Sequence, residues 1–247
     1  MNGLHEDQIP QEINPETGLP IGPTVDARPA AAPERVVLDG RYCRLEPLDW
    51  AQHGQELFAA SSPTDAAQRF QYLPEEPPRN ESELANWVTQ VSQSSDPLYF
   101  AVIDKRTGRV EGRQTLMRIQ PDQRCIEIGN IYWGPAISRS PVTTEANFLF
   151  ARYIFDELGY RRYEWKCNAL NAPSRRAALR FGFRYEGLFR RAVIVRGRTR
   201  DTTWYSVIEE EWPGLKAAYE QWLAPDNFDT NGQQKTRLTD LTRALGS

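Results

Sequence analysis

Seven stretches of the chain predict β-strands, some because polar and apolar residues alternate, as in 41–46, and others because apolar residues are concentrated in a short run, as in 98–103. They are residues 41–46, 98–103, 110–119, 125–133, 163–167, 183–195 and 202–209. Turn-forming residues at 104–109 separate the second and third stretches, and Arg196, Gly197 and Arg198 separate the last two. Both spacings predict antiparallel hairpins.

Apolar residues recur at helical spacing in segments 51–60, 81–93, 143–158 and 212–223. The strongest pattern, at 143–158, places Ala146, Leu149, Phe150, Tyr153 and Ile154 on one face, and Gly159 follows it as a stop signal. This helix lies between the strands predicted at 125–133 and 163–167. A strand-helix-strand crossover of this kind predicts a locally parallel pair of strands.

Residues 171–187 indicate a short capped helix, a glycine stop and a strand. Asn171 can cap the first turn, Pro173 suits that turn because no group there needs its missing amide hydrogen, and Gly182 can end the helix in a left-handed conformation. One face of the helix combines Ser174, Ala177, Ala178 and Phe181 and can lie close to a sheet. The other face is expected to turn Arg175, Arg176 and Arg180 outward.

Several short motifs follow one another in order along the chain. They are Trp133, Thr144-Glu145-Ala146, Leu158-Gly159, Arg161, Asn-x-x-Ser at 171–174, Gly-Phe-x-x-Glu-Gly at 182–187, Asp201-Thr202, Tyr205-Ser206 and Glu211-Trp212. Their order and spacing resemble the GNAT acyltransferases, and among these the RimJ/RimL type. The resemblance implies a mixed α/β (α+β) GNAT fold, with a central twisted mixed sheet of about seven strands and helices on both faces.

The resemblance also implies an activity, the direct transfer of an acetyl group from acetyl-CoA, as co-substrate, to a primary amine. The amine could belong to a protein N-terminus, an amino acid, an aminoacyl-nucleotide or another small molecule. The implied acetyl-CoA contacts are Ile131, Tyr132, Trp133, Arg139, Ser140, Thr143, Thr144, Asn171, Ser174 and Arg176.

The turn expected to bind the diphosphate departs from the family pattern, Gln/Arg-x-x-Gly-x-Gly/Ala. Residues 137–144 read Ile-Ser-Arg-Ser-Pro-Val-Thr-Thr and contain no glycine. Without glycine the backbone does not easily turn its amides inward, and Pro141 donates no amide at all. We expect the guanidinium of Arg139, the nearby hydroxyls and the amides of the helix start to compensate.

Transfer to an amine requires a base, because an ammonium group is not a nucleophile. Glu127 is the first candidate because it lies in an otherwise apolar strand, where desolvation raises the pKa of a carboxyl group. A solvated strand face would explain the same residue. Asn130, which could orient a water molecule, and Asp201 are the weaker candidates.

Other catalytic roles have fewer candidates. Ser174 is the candidate acid for the departing thiolate, although its hydroxyl also suits a helix start. A backbone amide near Tyr132 is expected to stabilise the oxyanion. A covalent route through Cys167 lacks an evident base, with only Lys166 beside it to favour a thiolate. Glu186 is expected to fix a strand turn and not to act in catalysis.

Composition limits the remaining possibilities. The 247 residues are 40% hydrophobic without an apolar run near the ~20 residues of a membrane span, so we expect a cytoplasmic protein with no membrane partner. The predicted division is a proline-rich extension at 1–36, one domain at 37–224 and a polar tail at 225–247. The three cysteines are expected to be small buried hydrophobes, and with only His5 and His53 available no metal site is expected. We expect His53 at the surface.

The net charge of −3 hides a basic segment. Residues 161–200 carry a net charge of +10, and the rest of the chain carries −13. The arginines could attract the phosphates of coenzyme A, a nucleotide or RNA, or simply solvate the outer faces of the segment. Two alternative functions therefore stay open, a GNAT-like binding or regulatory module without transfer and an RNA- or ribosome-associated factor. A monomer and a homodimer are both compatible with the sequence.

Overall fold

An eight-stranded mixed sheet organises residues 9–245, the part of the chain that this computed structural model describes. Its strands are β3 (Leu38–Asp39), β4 (Cys43–Pro47), β5 (Leu98–Asp104), β6 (Arg109–Gln120), β7 (Cys125–Trp133), β8 (Arg162–Asn168), β9 (Arg184–Val195) and β10 (Arg198–Ile208), whereas β1 (Glu12–Ile13) and β2 (Pro20–Ile21) form a separate pair. The order in the sheet is β3-β4-β5-β6-β7-β8-β10-β9. Only β7 and β8 are parallel neighbours, as the crossover predicts.

Helices cover both faces of this sheet. They are α1 (Trp50–Ser61), α2 (Ala66–Arg69), α3 (Glu81–Val91), α4 (Pro141–Arg152), α5 (Ala172–Arg180), α6 (Trp212–Leu223) and α7 (Leu238–Arg243). Alternate side chains of β5 face opposite helical layers. Phe100 packs in the core with α4 and α6, whereas Tyr99 and Ala101 pack with α1 and α3. The mixed α/β fold class is confirmed.

The strand predictions are confirmed in kind and differ in number and limits. The eighth strand is β3, whose two residues pair with Leu45 and Arg44 and are too few for an alternation pattern. The last hairpin turns at Arg196 (φ +48°) and Gly197 (φ +71°), and β10 begins at the next residue. Two successive positive φ angles suit the twist of a two-residue hairpin.

Helix α4 begins two residues earlier than predicted. Ser140 caps it by accepting a hydrogen bond from the Val142 amide at 3.2 Å, and Pro141 occupies its first position. Pro141 does not weaken the helix itself, since a first-turn residue has no intrahelical acceptor to lose. That it offers no amide to a ligand stays a prediction. After Arg152 the helix continues as a π-helix over Tyr153–Glu157 and ends before Gly159 (φ +75°).

Both flanking segments contact the sheet domain. The amides of Ala30 and Ala31 donate to the carbonyls of Pro121 and Leu158. Beyond α6, Leu238 of α7 is fully buried, and Phe228 packs its ring edge against Trp222. The part of the predicted polar tail at 225–245 is therefore folded back, whereas 1–8, which include His5, and 246–247 lie outside the described residues.

Candidate active site

A cleft opens where β7 and β8 separate. The two strands pair from Cys125 and Arg162 up to Ile128 and Trp165. Beyond that point β7 stays with β6, with Trp133 opposite Gly112, and β8 stays with β10. The carboxyl ends of two parallel strands therefore form the walls of an opening in the middle of the sheet.

The start of α4 lies at one end of this cleft and supplies the anion-binding features that the sequence predicts. Arg139 adopts φ +61°, so an arginine provides the left-handed turn for which the family pattern uses glycine. Its exposed guanidinium has no hydrogen bond or ion pair within residues 9–245, and the same holds for Arg176 on α5. A helix start, a left-handed turn and two free guanidinium groups fit a diphosphate.

The hydroxyls at the start of α4 are already engaged within the protein. Ser140 donates to the Ile137 carbonyl at 2.7 Å, and Thr143 donates to the Ser140 carbonyl at 3.2 Å. Thr144 is fully buried and accepts a hydrogen bond from Arg180 at 2.9 Å. These hydroxyls therefore already have partners within the protein, whereas the Arg139 guanidinium has none within residues 9–245. The prediction that Arg180 turns outward is wrong, because its guanidinium lies half-buried between Thr144 and the Trp222 ring.

Glu145, the middle residue of the Thr-Glu-Ala motif, has a structural role that the sequence did not reveal. Its buried carboxylate accepts hydrogen bonds from the backbone amides of Arg41, Tyr42 and Cys43 at 2.6–2.8 Å. It thereby ties α4 to the turn between β3 and β4.

Helix α5 places Ser174 beside the fork of the strands. Asn171 caps the helix as predicted, accepting from the Ser174 amide at 3.1 Å, and Gly182 ends it with φ +86°. The Ser174 Oγ accepts a hydrogen bond from the indole of Trp165, the last β8 residue paired with β7, at 3.0 Å. Because the hydroxyl accepts this bond, its own proton stays available for another acceptor.

Glu127 lies on the face of β7 away from α4 and is buried, not solvated. Lys166 Nζ lies 3.0 Å from its Oε2 and 2.6 Å from Glu164 Oε2, and Arg118 Nε lies 3.1 Å from Glu127 Oε2. Burial raises the pKa of Glu127, and its hydrogen bond and charge pairing with Lys166 only partly oppose the shift. In Glu164 the effect of burial is outweighed by hydrogen bonds from Lys166 and Arg162, so its pKa is lowered.

Further along β6 and β7 lies a cluster around Arg113, a residue that sequence reasoning missed. Arg113 is buried, donates to the Asn130 carbonyl at 2.6 Å, contacts Glu75 and lies 4.5 Å from the centre of the Trp87 ring. Burial lowers its pKa to about 9. Asn130 itself has φ +46° and donates to the Tyr99 hydroxyl at 3.0 Å.

Two chain segments meet across the cleft from opposite sides. The loop after α2 rests on the β7 side, where Phe70 packs on Tyr132 with ring centres 4.6 Å apart. The tip of the β9-β10 hairpin comes from the other side, and Arg196 donates to the Gln71 carbonyl at 2.7 Å. The loop and the hairpin together roof the face of the cleft away from α4.

The remaining candidate residues make contacts within the protein. Asp201 accepts from the Arg191 amide at 2.6 Å, and Glu186 pairs with Arg162 as expected of a strand-fixing residue. The Cys167 thiol is buried against Thr203, whereas the Lys166 ammonium pairs with two carboxylates on the other face.

The other cysteines and the described histidine are also built into the structure. Cys43 and Cys125 are free thiols, fully and half-buried, and burial raises the pKa of Cys125 to about 12. The prediction that His53 lies at the surface is wrong, because it is 3% exposed, accepts from the Asp49 amide and contacts Glu46 Oε2 at 3.2 Å.

Residues 9–245 contain no group of three or more His, Cys, Asp or Glu side chains suited to a metal ion. Among the helices in that range, none has the length and apolar composition needed to cross a bilayer.

Comparison with known proteins identifies relatives of both the sequence and the fold. The family described as Acetyltransferase (GNAT) domain matches residues 44–184. The crystal structure of a GCN5-related N-acetyltransferase from Brucella melitensis is 59% identical, with a TM-score of 0.86 over 87% of this chain and 98% of that one.

Two proteins of Bacillus subtilis (strain 168) match shorter stretches. “Uncharacterized N-acetyltransferase YnaD” is 30% identical over 36% of this chain and 52% of its own length. “Putative ribosomal N-acetyltransferase YdaF” is 31% identical over 44% of this chain and 59% of its own length. The chain thus spans a little over half the length of these curated relatives.

Proposed function

The chain belongs to the GNAT acetyltransferases, and from that premise we propose that it transfers an acetyl group from acetyl-CoA directly to a primary amine in the cytoplasm. The family makes it an acyl-CoA-dependent acyltransferase. The observation that supports direct transfer by this chain is the fork of β7 and β8. It has a free arginine turn and a helix start at one end, Ser174 hydrogen-bonded to Trp165 at the fork, and Glu127 on the opposite face of the sheet. We place the transferase domain at residues 37–224.

In the proposed acetyl-CoA site, the diphosphate binds at the start of α4 and at Arg139, with Arg176 close by on α5. The pantetheine arm follows Ile131, Tyr132 and Trp133 on one wall and Asn171 and Ser174 on the other. A backbone amide near Tyr132 stabilises the oxyanion, as preorganised donors do in acyl transfer.

In the proposed chemistry, the amine attacks the thioester carbonyl and loses a proton, and the thiolate leaves with a proton. Glu127 serves as the base because its desolvated carboxylate binds a proton more readily than a solvated one. Asn130 orients the amine, or a water molecule that lies between the amine and Glu127. Ser174 protonates the leaving thiolate, since its hydroxyl proton is not used by Trp165.

The RimJ/RimL-type branch, and hence a protein N-terminus as acceptor, is supported by the match to the YdaF protein, whose name refers to ribosomal acetylation. A small amine is the other candidate acceptor. The roof over the cleft favours a slim acceptor of either kind.

The decisive experiment measures binding and transfer separately. Acetyl-CoA at ~100–1,000 times Kd is expected to stabilise the protein by about 2–4 kcal/mol, seen as a rise in Tm. Incubation with a panel of amines and peptides should then give a mass gain of one acetyl group on the acceptor. A Tm unchanged by millimolar acetyl-CoA, together with no acetylated product, would contradict the proposal.

Replacing Ser174 tests the proposed acid. Ser174→Ala is expected to lower kcat by about 10²-fold with little change in the KM for acetyl-CoA, because the hydroxyl acts on the leaving group. Ser92→Ala, a serine remote from the cleft, is the matched control and should leave kcat unchanged. A wild-type kcat in Ser174→Ala would limit Ser174 to its role as the partner of the Trp165 indole.

A further inference from the structure

Three side chains of β10 present buried polar atoms that have no hydrogen-bond partner. They are Arg200 Nε, Thr202 Oγ1 and Trp204 Nε1, half of the six such atoms within residues 9–245. Thr202 is 5% exposed, whereas Arg200 and Trp204 are half-buried. Successive alternate residues of a strand point to the same face, so the three groups form one row. We call them the donor row, because each of them can donate a hydrogen bond.

Folding alone does not explain the donor row. The backbone of β10 is already paired with β8 on one side and β9 on the other, so the side chains are not needed to satisfy it. Buried donors without acceptors cost free energy and are rare in native structures. A row of three on one strand therefore indicates an acceptor that comes from outside the chain.

The position of the donor row connects it with the cleft. Thr202 lies opposite Asn168 and Trp204 opposite Lys166, and both β8 residues come after the last pair with β7. The Lys166 ammonium lies 3.8 Å from the centre of the Trp204 ring. The row thus lies on the strand next to the β8 wall of the cleft, on the same face as Lys166 and Glu127.

The charges around the row favour an anion. There are three cationic side chains, Arg200, Lys166 and Arg118. The two carboxylates are already paired, Glu127 with both Lys166 and Arg118, and Glu164 with Lys166. The Arg200 guanidinium has no ion pair within the described part of the chain. An oxygen anion matches both its charge and its donors.

We propose that the donor row binds a carboxylate or phosphate group of the amine acceptor, so that the enzyme selects amines that carry an anionic group. The inference rests on the proposed function for the identity of the acceptor. Arg200 supplies the charge, and Thr202 and Trp204 supply neutral donors that hold the anion beside Lys166. The acceptor's amine then lies on the Glu127 side of the cleft.

The first test measures anion binding without catalysis. Coenzyme A at saturation fills the proposed acetyl-CoA site. The Tm of the full-length protein is then followed with increasing inorganic phosphate in one arm and acetate in the other. At least one anion should raise the Tm of the wild type, with an apparent affinity about tenfold weaker in Arg200→Gln. Which arm responds distinguishes phosphate from carboxylate.

Two further variants make the result specific. Thr202→Val keeps the shape of the side chain and removes its hydroxyl, so it should also weaken the anion effect. Arg198→Gln, an exposed arginine of the same strand, should behave like the wild type. Equal anion responses in Arg200→Gln and the wild type, or no response of the wild type in either arm, would overturn the proposal.

The second test measures selectivity in the transfer reaction. Acetylation of β-alanine is compared with that of β-alaninamide, and phosphoethanolamine with ethanolamine. The wild type should favour one anionic amine by at least about tenfold in kcat/KM, and Arg200→Gln should lose that preference while retaining activity on the neutral partner. Equal rates within both pairs would contradict the anion site but not the proposed function. If no amine is acetylated, the proposed function is contradicted, and the anion site is then judged by the binding test.

Discussion

Arg139 shows how one residue can combine two properties that a sequence motif usually separates. Its positive φ provides the turn, and its guanidinium provides the charge at the proposed diphosphate site. The absence of glycine at 137–144 therefore does not abolish the turn. An L-residue in this conformation is strained by about 1 kcal/mol relative to glycine.

Arg139→Gly separates these contributions. The substitution is expected to preserve or raise the Tm by relieving the strain, and to raise the KM for acetyl-CoA about tenfold by removing the guanidinium. Arg139→Asn, which also tolerates a positive φ, is the control and should raise the KM to a similar degree. An unchanged KM in both variants would show that Arg139 does not contact the donor.

Local signals made some residues predictable and left others out of reach. Asn171 and Gly182 were readable because a cap and a stop depend on neighbours within a few positions. His53 was misjudged because its partner Glu46 lies on β4 and comes close only once α1 turns back on that strand. Arg113 was missed because its site is assembled from separate elements that carry Trp87, Tyr99 and Asn130.

At the scale of elements, one carboxylate adds a polar connection between α4 and the sheet edge to their apolar packing. Glu145 binds three successive amides of the turn after β3, and a side chain at Gly40 would overlap that carboxylate. The sequence predicted the helix because its periodicity is local. It did not predict this contact, because its two ends are about a hundred residues apart.

Gly40→Ala tests the importance of this contact. The added methyl group must displace the Glu145 carboxylate from its donors, so we expect a loss of roughly 2–4 kcal/mol in the free energy of unfolding. Denaturant unfolding measures the change. Gly22→Ala, at a position with open space around it, should stay within about 0.5 kcal/mol of the wild type. A Gly40→Ala protein as stable as that control would mean that the turn accommodates the methyl group easily.

At the scale of the whole molecule, ion pairs connect the parallel strand pair to the β9-β10 hairpin. Arg162 on β8 contacts Glu164 at 2.7 Å and Glu186 on β9 at 2.6 Å, and Ser206 of β10 also donates to Glu186. The hydrogen bond from Arg162 lowers the pKa of Glu186, and Glu164 is lowered as well. A carboxyl group with a lowered pKa stabilises the fold above its unfolded pKa and loses that contribution as the pH falls through its folded pKa.

The Tm of the wild type should therefore fall as the pH is lowered from about 5 to about 3. Glu186→Gln is expected to melt at a lower temperature than the wild type at neutral pH, and the difference should close at the acid end because Glu186 is then protonated in both states. Glu12→Gln, an exposed carboxylate on β1, is the control. A difference between Glu186→Gln and the wild type that is constant with pH would show that the charge of Glu186 does not contribute.

The contact between Arg196 and the carbonyls of Phe70 and Gln71 has a consequence for how a partner reaches the reacting centre. We expect a bridge above the opening to hinder the approach of a broad, rigid surface to the proposed site. The free end of a chain or a compact metabolite is narrow enough to enter beside the bridge. For the proposed transfer we therefore expect an acceptor that presents its amine at a narrow end.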